Sequence, residues 1–383
     1  MIKKTILVMI ISLSCSLLSG CWDSNEPERM VYAHGIGIDY KDNRYIIQLQ
    51  MIDLGGLSKL ESSGGPVEEQ SEVGKASGRT INEAIFNLYR STDRRVFWGH
   101  LSFIILSESV MEQEGLKFVT DLMNRYRETR YRIWFYSTKD SIEDILLAEP
   151  IIGISIARSV LSDPENSFEQ SSFIKHIALR ELLLKLNEPG HEVVIPAVSV
   201  TKRWKTQKKT DDVIQLDGLT VLTKANLKGF ILGEKAKGLR WMDETMHRDD
   251  LTIYKNKKPV TEAILKTQNV KIKPVISGGR VDFDIEIKLK ASINELDFQV
   301  NKEFIEKEIK KMVKKEVMKT YKAALEIDAD IYRFSDVLYR KNIKEWKKHQ
   351  HNGKLSLDEH SIRSIKVKVL LKDASKHLLI PSV

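Results

Sequence analysis

The sequence predicts an α+β protein of two to three subdomains, with antiparallel or mixed β-sheets and flanking helices, behind an N-terminal lipoprotein signal peptide. Three observations carry this. The chain has 383 residues, 42% hydrophobic and 30% charged, enough apolar content for real cores at roughly 100–200 residues per domain. Segments of period 2 are interspersed with segments of helical period. One apolar stretch lies at the start of the chain, and no later stretch has the 18 or so consecutive apolar residues of a membrane span. The composition also excludes a collagen, a low-complexity chain and a polytopic membrane protein.

Met1-Ile2-Lys3-Lys4 is a short positive region, and Thr5–Leu18 is apolar but for hydroxyl residues. It is short for a span of about 20 residues and reads as an export signal. Leu18-Ser19-Gly20-Cys21 has the form of a bacterial lipobox, with cleavage after Gly20 and a diacylglyceryl group on the Cys21 thiol. The other cysteine, Cys15, lies inside the signal, so residues 21–383 keep one cysteine and no intramolecular disulfide. A cysteine-based zinc site is excluded with it. Two acyl chains anchor stably where one is marginal. Losing Lys3 and Lys4 lowers the formal charge from +8 by two, to +6, which suits an anionic lipid surface. Nucleic acid is the competing partner for a basic chain, but export and the lack of any recognition motif argue against it.

The elements follow in order. Residues 34–52 read as strands, with Arg44–Ile52 β-rich. Residues 55–78 hold six glycines, five serines and four glutamates and read as a flexible loop. Thr80 and Glu83 have capping-box spacing ahead of the Ile81, Ala84, Ile85, Leu88 stripe. Leu101–Leu106 is a buried strand, Glu108–Glu128 a helix, and Tyr131–Thr138 a strand. Ser141 caps a helix running to Ala148. Phe168–Leu186 reads as one helix, and Val193–Val200 as a strand in which Pro196 marks an edge or a bulge.

Thr201–Asp212 is basic and polar, a domain boundary or an exposed hairpin tip. Lys202, Arg203, Lys205, Lys208 and Lys209 with Trp204 form a candidate lipid-contacting patch; a solvated linker is the plainer reading. Leu216–Leu222 and Leu227–Leu232 pair around Lys224-Ala225-Asn226. Val281–Ile293 alternates strictly, one wet face and one dry. Asn301–Leu325 is a long helix with Ile305, Ile309, Met312, Val313, Val317, Tyr321 and Ala324 on one face and lysines on the other. Ser335 caps a helix through Trp346, and Ile365, Val367, Val369 and Leu371 form a closing strand. The domains expected are the signal 1–20, an N-terminal α/β region 21–200 containing two subdomains, a basic linker 201–213, and a C-terminal α+β domain 214–383 around the helix 301–325.

No catalytic constellation is legible. Gly153-Ile154-Ser155-Ile156-Ala157 lacks the final glycine of a nucleophile elbow. His191-Glu192 opens like a zincin motif, but Ile195 stands where the second histidine belongs. His349 and His351 are two apart, which splays them on a helix. Phosphate-binding glycine loops and EF-hand spacing are missing too. The expectation is no catalytic residue, no metal and no cofactor.

Several fragments together resemble the Ger(x)C lipoproteins, the C subunits of bacterial spore germinant receptors. They are Cys21-Trp22-Asp23, Gly35-Ile36-Gly37-Ile38-Asp39, Gly78–Ala84, Val96–Leu106, Asp217-Gly218, Gly229–Leu232, Gly238-Leu239-Arg240-Trp241, Ile293-Asn294-Glu295, and Asp328–Phe334 ahead of Arg340 and Trp346. Their order spans most of the chain. The tail after Leu371 departs from the pattern. The resemblance implies three α/β subdomains, no enzymatic activity, and assembly with membrane A and B subunits in the spore inner membrane. Only Cys21 carries over as a functional position. The alternative is a solute-binding lipoprotein serving a transporter, whose doubly wound lobes the strand at 281–293 fits poorly. A surface-anchored hydrolase comes third.

Overall fold

The computed structural model describes residues 5–6, 30–52, 71–117, 130, 132–151, 155–190, 192–205, 210–293 and 300–373. The lipobox with Cys21 and the tail from 374 onward lie outside them. Strands β1 (Met30–Lys41) and β2 (Arg44–Ile52) form a hairpin. Asp42 and Asn43 close it at φ 53° and 58°, the left-handed conformation that such short polar residues tolerate. Then come β3 (Ser71–Gly78), β4 (Arg95–Phe97), β5 (Phe103–Ser107), β6 (Trp134–Thr138), β7 (Glu192–Lys205), β8 (Thr210–Thr223) and β9 (Leu227–Leu232). They make one mixed sheet in the order β3-β2-β1-β5-β6-β7-β8-β9, with β4 also beside β1. Strands β1, β5, β6 and β7 run parallel.

Both faces of this sheet are covered, and period 2 assigns residues to them. On one face Ile36, Ile38, Ile104 and Leu106 pack with α1 (Ile81–Tyr89), α2 (Glu108–Glu114) and α5 (Leu179–Leu186). On the other, Phe103, Ile105 and Tyr136 meet α3 (Ile142–Leu147). Gly35 and Gly37 face that second side; a Cβ at either would overlap the Phe103 ring or the Ile142 side chain. The short helix α4 (Pro164–Gln170) precedes α5.

The second sheet has the order β10 (Asp249–Lys255), β11 (Lys258–Ser277), β12 (Arg280–Ile293), β15 (Ile362–Asp373). Helix α6 (Lys302–Glu326) covers one face, and Asn301 caps it by accepting from the Phe304 N–H. Of the predicted stripe only Met312 is half-buried; the others are fully buried. Helices α7 (Phe334–Lys341) and α8 (Ile343–His349), and the ribbon β13 (Gln350–His351) with β14 (Lys354–Leu355), complete this half.

Several expectations are corrected. Residues 71–78 of the expected loop are the strand β3, paired along β2; residues 55–70 lie outside the described part. Its glycines serve close packing: a Cβ on Gly74 would stand 2.9 Å from Leu88, and one on Gly78 would meet the first turn of α1. Helix α2 ends at Glu114 because Gly115, at φ 57°, is pressed against the Ala225–Asn226 backbone; residues 118–129 lie outside the described part. The single helix expected at 168–186 is two, because residues 171–178 bond elsewhere. Phe135 N–H donates to Ile177 O at 3.1 Å, and Ser172 N–H to Arg248 O at 2.8 Å.

Ser335 is buried inside α7 rather than capping it. The acceptor is the Asp330 carboxylate, 2.8 Å from Phe334 N and 2.7 Å from Ser335 N. The helix then breaks at Asn342, which caps α8. Residues 201–205 and 210–213 belong to the β7–β8 hairpin, so the first sheet runs across the stretch expected to be a basic linker and ends at β9. Pro196 lies in a strand with neighbours on both sides, beside a bulge between Ala197 and Val198.

Candidate functional site at the junction of the two sheets

The two halves meet along the connector 171–178, the starts of β7 and β10, a 3₁₀ segment (Lys237–Met242) and the turn between α6 and α7. They line an open cavity of about 250 Å³. Its walls include Phe168, Val221, Ile272 and Tyr332, and its polar margin includes Lys175 and Asp243. Ser172 pins the connector: its hydroxyl donates to Phe168 O (2.7 Å) and accepts from the His247 (3.0 Å) and Arg248 (3.2 Å) N–H groups.

Two polar latches hold the junction. In the first, the Glu192 carboxylate accepts from Asp330 N–H at 2.6 Å and pairs with Lys354 at 2.9 Å. Lys354 also reaches Asp328, which pairs with Lys228 from β9. Burial pushes the Glu192 carboxyl upward, and Lys354 opposes it. Burial works against the Lys354 charge too, yet its pKa is raised, by Glu192 and Asp328. Asp330 is also raised by burial, against the pull of its two backbone donors. Arg333 and Arg340 both grip Glu188.

The second latch ties the 3₁₀ segment to α6. Arg240 contacts Asp249 at 2.5 Å and Glu316 at 3.2 Å, with both the arginine and the aspartate side chains 5% exposed. Trp241 Nε1–H donates to Glu316 at 2.6 Å, and the guanidinium lies 4.4 Å from the Trp241 ring centre. Gly238 N–H donates to Thr320 Oγ1 at 2.8 Å, and a Cβ there would overlap the Glu316 carbonyl. Arg240 Nε is buried without a hydrogen-bond partner, so the guanidinium is held by its ion pairs with Asp249 and Glu316, and the arrangement sets the angle between two sheets.

Cys21, Gly20 and His191 lie outside the described residues. Ser155 caps a 3₁₀ turn by accepting from Ala157 N–H, with no histidine at its hydroxyl among the described contacts. His349 is held between Glu345 O and Gly279 O. Among the described residues no three His, Cys, Asp or Glu side chains group as metal ligands. Lys202, Arg203, Trp204 and Lys205 are exposed at the hairpin tip, Trp204 by 51%; Lys208 and Lys209 lie outside the described part. The register levels Ile38 with Leu106, Ser137 and Ala197. Lys205 and Met30 are therefore at opposite ends, about 50 Å apart along the strands at ~3.3 Å per residue. Glu192, Asp249 and Lys354 carried no local signal for this role in the sequence; the Gly238–Trp241 run and the Asp328–Phe334 fragment that holds Asp330 did.

Fold and junction define a class: a two-sheet α+β protein whose halves are latched by buried ion pairs, with no helix among the described residues able to cross a membrane. Residues 23–200 match the family described as "Spore germination protein N-terminal domain", and residues 217–372 the one described as "Spore germination B3/GerAC like, C-terminal". The chain belongs to the Ger(x)C family of spore germination proteins. It is 26% identical to spore germination protein KC of Bacillus subtilis (strain 168), over 91% of this chain and 90% of that one. To the putative spore germination protein YfkR of the same organism it is 25% identical, over 90% and 92%. To spore germination protein B3 it is 23% identical, over 73% and 71%. The crystal structure of the GerBC protein aligns with a TM-score of 0.49 at 19% identity, covering 89% of this chain and 97% of that one.

Proposed function

We propose that this protein is the lipid-anchored C subunit of a nutrient germinant receptor on the outer face of the spore inner membrane. It acts without catalysis, through contacts with the membrane A and B subunits. The observation that carries this is order: a lipobox ending at Cys21, then the two spore-germination regions in sequence. Two acyl chains confine the folded part to a plane and raise its effective concentration near membrane partners. The latched junction supports a scaffold, since a fixed angle between the sheets presents one rigid surface to those partners.

Cys21→Ala is expected to keep the fold and lose membrane retention. Unchanged fractionation of the variant after a high-salt wash, which strips electrostatically held protein, rules the anchor out. Pull-down of the lipidated protein from solubilised spore membranes is expected to bring a transporter-like subunit with it. The junction cavity favours a solute-binding lipoprotein instead. Calorimetric saturation by any single amino acid or sugar at micromolar concentration turns the conclusion to that reading.

A further inference from the structure

Among the described residues the second sheet is covered on one face only. Phe283, Ile285, Ile287 and Leu289 of β12 are buried toward α6, and the residues between them face the other way. There the register sets charges side by side. Lys290 sits between Lys266 on β11 and Leu370 on β15, and Lys288 between Asn269 and Lys368. Glu286 sits between Lys271 and Lys366, and Ser292 between Ile264 and Lys372.

Lys266 and Lys290 are thus direct cross-strand neighbours, and so are Lys288 and Lys368. Like charges in that position destabilise a sheet. Glu286 pairs with Lys368 at 3.0 Å and Lys288 at 4.0 Å, and Lys366 is close enough to act on its charge without an ion pair. Among the described residues Lys266, Lys290, Lys366 and Lys372 make no ion pair. The other carboxylates stand at the margins: Asp282 and Asp284 toward the β11–β12 turn, Asp250 and Glu262 toward β10, and Glu244 against Asn269. Leu370, 52% exposed, lies among the ammonium groups.

We propose that this open face of the second sheet lies against the anionic headgroup surface of a membrane and fixes how the protein stands on it. Repulsion that costs stability in the isolated chain is offset by an anionic plane. The face is an array of lysines, which are point charges on flexible stems rather than the planar forks suited to a single bidentate partner. Such residues gain from the smeared potential of anionic lipid, which falls off within a Debye length. The lysines of α6 lie on the opposite side of the sheet and are diluted by glutamates, with Lys310–Glu306 and Lys311–Glu308 already paired. A plane can meet only one of these two sides.

The inference deepens the anchored-subunit reading, on which it rests for a nearby bilayer, but its test needs no anchor. The chain lacking residues 1–21 is mixed with phosphatidylcholine vesicles, with and without phosphatidylglycerol, and co-sedimentation is measured. Below about 0.1 M salt, where the Debye length exceeds ~10 Å, binding is expected only with phosphatidylglycerol and should weaken as salt rises. Lys266→Gln/Lys290→Gln/Lys366→Gln/Lys372→Gln should lower the partition coefficient at least tenfold, with a ceiling of about 600-fold if each lysine contributes roughly fivefold. Its melting temperature should not fall, since repulsion is removed. Lys302→Gln/Lys307→Gln/Lys314→Gln/Lys315→Gln on α6 should bind as the unsubstituted chain does. No binding to the anionic vesicles, equal binding to neutral ones, or equal loss in both variants overturns the proposal. A soluble outcome for Cys21→Ala in cells would leave this result standing.

Discussion

Replacing Arg240 by Met removes the cation from a carboxylate that has almost no access to water. The two side chains are each 5% exposed, and the Nη1–Oδ2 distance is 2.5 Å. Breaking a buried pair from one side costs about 3–5 kcal/mol, because the remaining charge stays desolvated and alone. Loss of the guanidinium over Trp241 adds about 0.5–1 kcal/mol. A loss on the order of 4 kcal/mol lowers the melting temperature by about 8–16 °C for a unit of 150–250 residues. The assay is urea and thermal denaturation followed by circular dichroism. Arg240→Met/Asp249→Leu, which removes both charges, should recover much of the loss, since well-packed apolar replacements of a buried pair are often neutral. A single variant within about 1 kcal/mol of the unsubstituted chain, or a double variant no better than the single, refutes the latch as described.

Gly238→Ala should loosen α6 from the 3₁₀ segment and cost about 1–3 kcal/mol by overpacking, read in the same urea titration. Asp330→Ala leaves two buried N–H groups without their acceptor, at about 1–3 kcal/mol each. Asp330→Asn keeps one acceptor oxygen and should lose roughly half as much. His34, His100 and His176 all have pKa values lowered chiefly by burial. The unfolded chain then binds more protons, so stability should fall as pH drops from about 6.5 through the lower folded values. His34→Gln should flatten that limb of a plot of melting temperature against pH, and an unchanged slope contradicts the assignment.

The elements with an undivided pattern were legible in the sequence. The alternation at 281–293 is β12, the stripe at 301–325 is α6, and the Thr80–Glu83 box caps α1 as spacing predicts, with Glu83 N–H donating to Thr80 Oγ1 at 3.1 Å. Where composition and packing compete, the sequence misleads. Glycine-rich residues 71–78 look like a loop, but their missing Cβ atoms are what lets α1 close on β3. Residues 168–186 have helical apolar spacing, yet the backbone of 171–178 finds better partners on β6 and at Arg248.

By itself the sequence determined the order of most strands and helices, and the family. Those rest on local chemistry: charge and apolar runs, period 2 against period 3.6, and capping spacing. Only the tertiary structure decided which charges meet. Glu192 and Asp330 lie 138 residues apart and share a hydrogen bond, and Arg240 finds Glu316 from 76 residues away. Lys290 faces Lys266 because two strands pair in one register. Pairings of that kind depend on chain reversal and strand register, which a single sequence does not print at the residues concerned.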